Sequence, residues 1–199
     1  MRPDDEVCAV SGFIKDGRGV AAEVSENPDL GKTRREQLEA EYERLWAEFG
    51  ASLGRLASSY ESHAHAREDL LQDIRLAIWT ALPRFRGDAS LRTFVFRIAH
   101  NRALTHVWQR KQAGQPEDAE DVVDARESPE ASVIQNANRV KLVEATRSLP
   151  IPFRQVITLA LEDLSHAEIA AVLGISENNV AVRMNRARNL LKEILGSRR

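Results

Sequence analysis

A single cysteine in 199 residues, Cys8, has no partner for an intramolecular disulfide, and no Cys/His group shows zinc-finger spacing. Aromatic residues make up only 6% of the chain, and no segment alternates apolar and polar side chains as a half-buried strand does. A sandwich or barrel is therefore disfavoured. No run approaches the roughly 18 to 20 apolar residues that cross a bilayer. The start, Met1-Arg2-Pro3-Asp4-Asp5-Glu6, lacks the basic beginning and apolar stretch of a secretory signal. A cytoplasmic protein with no direct membrane insertion is expected. A Gly-rich phosphate loop, a nucleophile elbow and a metal motif are all missing, so neither an enzyme with a small-molecule substrate nor a cofactor or metal is expected. His63 and His65, two residues apart, read as solvated loop histidines.

What the sequence does have is helical periodicity. Leu38, Tyr42, Leu45, Trp46 and Phe49 mark one helix from Thr33, which Gly50 is expected to interrupt, and a second helix is expected over Ser52 to Ser62. Leu70, Leu71, Ile74, Ala77, Ile78, Ala81 and Leu82 form an apolar stripe ended by Pro83 and the turn-like Arg86-Gly87-Asp88. Ser90 then reads as the N-cap of a helix reaching about Lys111. After an acidic stretch containing Gly114 and Pro116, Ser128-Pro129 reads as a cap followed by proline at the first helical position. Further helices are expected at about 129–148, 152–163, 166–173 and 177–195. The expected fold is all-α: a mobile tail over 1–32, a helical domain over 33–111, an acidic linker over 112–128, and a second helical domain over 129–199 containing a helix-turn-helix.

Net charge is only −2, but the charges fall in blocks. Residues 84–112 carry seven basic and one acidic side chain, 114–132 one and seven, and 177–199 six and two. Two basic elements separated by an acidic one is the pattern of a chain that approaches phosphate at two places.

The second basic block belongs to the helix-turn-helix. Ser165-His166-Ala167-Glu168 fits a capping box, Gly174 permits a left-handed turn, Ile175 fills the corner and Ser176 caps the next helix. In that helix Val180, Met184, Ala187, Leu191 and Ile194 face the core. The opposite side carries Asn178, Val182, Asn185, Arg186 and Asn189, flanked by Asn179 and Arg183. Amides and arginines suit base edges and phosphates in a major groove, and an outward valine suits a thymine methyl.

The segment Phe85-Arg86-Gly87-Asp88-Ala89-Ser90-Leu91-Arg92-Thr93-Phe94-Val95-Phe96-Arg97-Ile98-Ala99-His100-Asn101 resembles the promoter-melting region 2 of extracytoplasmic-function (ECF) RNA polymerase sigma factors. Glu68 through Trp79 looks like that family's acidic helix, and Leu149 through Arg188 is similar to its region 4. The likeness spans about 33–195 in the family's order. It implies a factor that directs polymerase core to promoters, with promoter DNA and an anti-sigma factor as further partners. By the same resemblance Asp69, Gln72 and Asp73 dock on the clamp of the largest polymerase subunit. Arg86, Gly87, Asp88, Ser90, Arg92, Arg97, Asn101, Arg110 and Lys111 engage the −10 element. Asn178, Asn179, Val182, Arg183, Asn185 and Arg186 read the −35 element. Phe94 stands where the family usually has tryptophan, and Ala181 and Val182 stand where it is commonly basic or hydroxylic. A helix-turn-helix regulator working without polymerase, or a degenerate sigma acting as a decoy, are the rival readings.

Overall fold

The computed structural model of the chain describes residues 28–114 and 132–197. The architecture is all-α: α1 (Pro28–Tyr60), α2 (Ala64–Ala81), a single 3-10 turn (Leu82–Arg84), α3 (Leu91–Gln112), α4 (Ser132–Arg147), α5 (Ile151–Ala160), α6 (His166–Leu173) and α7 (Glu177–Ser197). Most of the expected tail, the acidic stretch 115–131 and the Ser128-Pro129 helix start lie outside the described residues.

Gly50 does not break the first helix. Leu45, Phe49, Leu53, Leu56, Ala57 and Tyr60 form one buried face that runs through it. A mid-helix glycine costs about 1 kcal/mol, whereas each large apolar side chain buried contributes about 1.5–3 kcal/mol, so packing overrides local propensity. The glycine also has a use, because a Cβ at position 50 would meet the Trp46 indole at 3.0 Å. Trp46 in turn lies under the Arg75 guanidinium, 4.1 Å from its ring centroid.

Helix α2 buries Leu70, Ile74 and Ile78 against α3, whose Val95, Phe96, Ala99, Ala103 and Val107 complete the core of this half. Phe96 is fully buried and meets Phe49 edge-on at 6.3 Å. Ser90 caps α3 by accepting the Thr93 amide at 3.1 Å. In the other half α5 buries Val156, Ile157 and Leu159, and α4, α5 and α6 all pack on α7.

One polar node closes the first half. Glu61, fully buried just past the end of α1, accepts from the His63 amide at 2.8 Å, contacts the His63 ring at 3.1 Å and the His106 ring at 2.8 Å, and pairs with Arg110. It thereby ties the end of α1 to the start of α2 and the end of α3. Burial alone would raise its pKa, but the hydrogen bonds from His106, Arg110 and His63 outweigh burial and hold the carboxyl well below the usual range.

The two halves are in contact. Residues Glu36–Arg199 form one compact unit in which α3 packs against α6. Arg55 of α1 makes a bidentate pair with Glu162, just beyond α5, at 2.9 and 2.6 Å. Arg92 and Arg97 of α3 donate to the backbone carbonyls of Glu162 and Ala171.

His100 of α3 is buried within the same contact. Gln155 Nε2 of α5 lies 3.3 Å from His100 Nε2, and Tyr60 Oη lies 3.3 Å from Nδ1. The amide nitrogen of Gln155 can only donate, so with this nitrogen facing the ring His100 Nε2 accepts and the ring proton sits on Nδ1, facing Tyr60. Burial pulls the imidazole pKa down to about 4 from 6.5. The folded state therefore binds this proton less readily than the unfolded chain. The stability held by the neutral ring is complete above pH 6.5 and is lost as pH falls from there through 4. Between pH 7 and 5 the loss should be about 2 kcal/mol. Urea unfolding of wild type and His100→Gln at both pH values measures it: the wild-type slope should exceed the variant's by about that amount, and equal slopes would show that His100 titrates normally.

Candidate functional site

Three surfaces carry the residues singled out in the sequence. The first is the outer face of α7. The Ser165 side chain accepts from the Glu168 amide at 3.3 Å and the Glu168 carboxylate accepts from the Ser165 amide at 2.8 Å, so both halves of the capping box form. Those bonds hold the Glu168 carboxyl below its ordinary pKa. Gly174 has φ 67, the left-handed conformation that turns the chain out of α6, and Ser176 accepts from the Asn179 amide at 3.2 Å to start α7. With Val180, Met184 and Ala187 buried beneath, Asn178, Asn179, Val182, Asn185 and Arg186 are exposed together. Val182 is 45% exposed although it is apolar. Arg183 is half-buried, and its Nε donates to Asn179 Oδ1 at 2.9 Å, which holds one amide in a fixed orientation.

The second surface is the loop before α3 and the exposed flank of that helix. Gly87 has φ 78, so the turn at Arg86-Gly87-Asp88 uses the conformation glycine alone adopts cheaply. Arg86, Gly87, Asp88 and Ser90 are exposed there, and Asn101 and Lys111 are exposed along α3. Three cations of the sequence-derived set are engaged internally: Arg92 and Arg97 with carbonyls of the other half, and Arg110 with Glu61. Phe94 is half-buried against Phe85, ring centroids 4.8 Å apart.

The third surface is the outer face of α2, where Asp69, Gln72 and Asp73 are exposed in a row. Leu76, 64% exposed, continues that row one helical turn after Gln72 and Asp73. It was not singled out in the sequence, because Leu76 lies off the apolar stripe of α2 and a lone exposed leucine carries no pattern. Beside it a cavity of about 440 Å³ is lined by Asp73, Leu76, Thr80, Arg84, Phe94 and Arg102. Trp108, 52% exposed near the end of α3, is the other large apolar side chain left open among the described residues of this half. His63, read as a loop histidine, is instead bound to Glu61, a contact between residues whose spacing carries no motif.

No group of three His, Cys, Asp or Glu side chains able to hold a metal ion occurs among the described residues, and no described helix is long and apolar enough to cross a membrane.

Known families match the two stretches of chain that carry these surfaces. Residues 45–113 match sigma-70 region 2, and residues 139–191 match sigma-70 region 4. The RNA polymerase sigma factor CnrH of Cupriavidus metallidurans is 30% identical over 162 residues, covering 76% of this chain and 85% of the relative. The ECF RNA polymerase sigma-E factor of Escherichia coli K12 is 31% identical over 135 residues, 62% of this chain and 70% of the relative. The structure of CnrH in complex with the cytosolic domain of CnrY aligns with a TM-score of 0.60 at 27% identity, over 80% of this chain and 90% of that one. The sigma factor RpoE in complex with the anti-sigma factor NepR from Bartonella quintana shares the fold, with a TM-score of 0.63 at 22% identity over 80% and 99%.

Proposed function

The chain belongs to the ECF family of RNA polymerase sigma factors, which direct polymerase core to promoters, and from that premise we propose how its surfaces divide the work. The α7 face reads the −35 duplex through Asn178, Asn179, Val182, Arg183, Asn185 and Arg186. The loop Arg86 to Ser90, with Arg92, Arg97, Asn101, Arg110 and Lys111, engages the −10 element and holds its opened strand. Asp69, Gln72 and Asp73 dock on the clamp of the largest polymerase subunit, with Leu76 as the apolar centre of that contact. The acidic segment 112–128 joins a region 2-like domain over 33–111 to a region 4-like domain over 129–199. The protein acts in the cytoplasm without catalysis, cofactor or small-molecule substrate, and an anti-sigma factor restrains it.

The observation that carries this reading is the α7 face: a helix with a buried apolar side, entered through a capped left-handed turn, presents three amides, an arginine and a valine that nothing covers. An asparagine makes a bidentate contact with adenine, an arginine with guanine or phosphate, and a valine methyl packs on a thymine methyl. The test is duplex selection from a random pool followed by binding of two variants. Arg186→Ala should weaken binding by about 1–3 kcal/mol and lower its salt dependence if it meets phosphate, or relax one base preference if it meets a base. Val182→Ser should lose discrimination between thymine and uracil at one position. Selected sequences and affinities unchanged in both variants would remove α7 from DNA recognition.

A further inference from the structure

We propose that the cavity beside α2 is a binding site for a small nucleotide, a purine nucleoside monophosphate, and, resting on the function proposed above, that a nucleotide bound there competes with the polymerase clamp. The volume of about 440 Å³ lies within the roughly 300–1,000 Å³ of small-molecule sites. Helix α2 supplies Asp73, Leu76 and Thr80 to its lining, the 3-10 turn supplies Arg84, and α3 supplies Phe94 and Arg102. None of the residues assigned above to the −10 element lines it.

The charges distinguish this cavity from a gap in packing. Among the described residues Arg84, Arg102 and Asp73 make no hydrogen bond and no ion pair, although all three line one space. Arginines elsewhere in the protein find acceptors, as Arg55 does in Glu162 and Arg110 in Glu61. Two guanidiniums against one carboxylate favour an anion, and a phosphate accepts the forked donors of both. Asp73 can only accept, which suits a base amine or ribose hydroxyls and opposes a polyphosphate or a nucleic-acid strand. The Thr80 hydroxyl donates to the Leu76 carbonyl at 2.7 Å, so it too can only accept from a ligand. Phe94, Leu76, Ala77 and Ala81 form the apolar lining that a flat base would cover. A purine nucleoside monophosphate carries all three complements: a flat ring, hydroxyl and amine donors, and one phosphate.

Asp73 and Leu76 belong both to this lining and to the row proposed to dock on the clamp. A ligand that covers them takes the apolar centre of that contact away, so nucleotide and core exclude one another. Each then lowers the apparent affinity for the other by the same factor.

The experiment titrates the full chain with AMP, adenosine and inorganic phosphate by isothermal calorimetry. The AMP titration is repeated with Arg84→Ala/Arg102→Ala, which removes both cations, and with Ala81→Leu, which fills the cavity. Should Ala81→Leu fail to melt cooperatively, the arginine pair alone decides. AMP should bind at a single saturable site, with adenosine and phosphate at least about tenfold weaker because each lacks part of the contacts. Each variant should lose at least about tenfold in AMP affinity. Saturating AMP should lower the affinity of the wild-type chain for core about tenfold and leave that of the arginine-pair variant unchanged. No saturable binding at millimolar AMP, or wild-type affinity in the variants, would overturn the site. Phosphate binding as tightly as AMP would overturn the ligand class, and AMP binding without effect on core affinity would overturn the competition. Core binding by the nucleotide-free wild-type chain judges the proposed docking row separately: its absence would sink that row, while the calorimetry would still decide the site.

Discussion

Replacing Glu61 with alanine is expected to destabilise the protein by about 3–5 kcal/mol at pH 7, the cost of removing one partner from a buried charged cluster. The carboxylate is fully buried and serves the His63 amide, the His63 and His106 rings and Arg110 together. Without it those donors, drawn from α3 and the connection between α1 and α2, lose their shared acceptor. Glu61→Gln keeps the volume but not the charge, and should recover only part of the loss. The pH dependence has a definite sign. The carboxyl titrates below its ordinary value of 4.5 in the folded protein, so its contribution is present above that pH and disappears as the solution is made more acid. Urea unfolding of wild type and both variants at pH 7 and pH 3.5 should show a gap that narrows on acidification. A Glu61→Ala loss below about 1 kcal/mol at pH 7 would mean that the cluster is a surface network of the usual weak kind.

Much of the fold was legible because local and global signals agree. The α2 stripe, the Ser90 cap, the Ser165/Glu168 box and Gly174 each rest on residues a few positions apart, and each forms as the spacing suggested. Gly50 misled for a stated reason: propensity is local, whereas the buried face from Leu45 to Tyr60 is set by what packs on it. The α7 face was readable from the 100° repeat alone, since an outward valine among amides is visible without coordinates. Arg92, Arg97 and Arg110 show the opposite case. Each is basic in a basic block, so sequence alone directs it outward to phosphate, yet their acceptors are two backbone carbonyls and a carboxylate distant in the chain. Carbonyl acceptors have no signature in side-chain pattern. Glu162 and Arg55 escaped notice similarly, because no periodicity links residues that meet only when the two halves pack.

The second large effect concerns the α2 surface, and it decides the central claim. Asp69, Gln72 and Asp73 are exposed beside Leu76, so Asp69→Lys with Asp73→Lys should fold normally while reversing the charge of the proposed clamp contact. Close interfacial charge pairs contribute about 1.5 kcal/mol or more each. Two reversals should therefore weaken core binding about a hundredfold. The direct measurement is single-round transcription by purified core on a random-sequence template library, with no factor, with the wild-type chain, and with the double variant. The wild-type chain should produce discrete initiation from templates enriched in one sequence pair. The double variant should lose that initiation and yet bind the selected −35 duplex as wild type does. A wild-type chain that binds duplex but gives core no initiation beyond its background, or a double variant that initiates as well as wild type, would contradict the assignment.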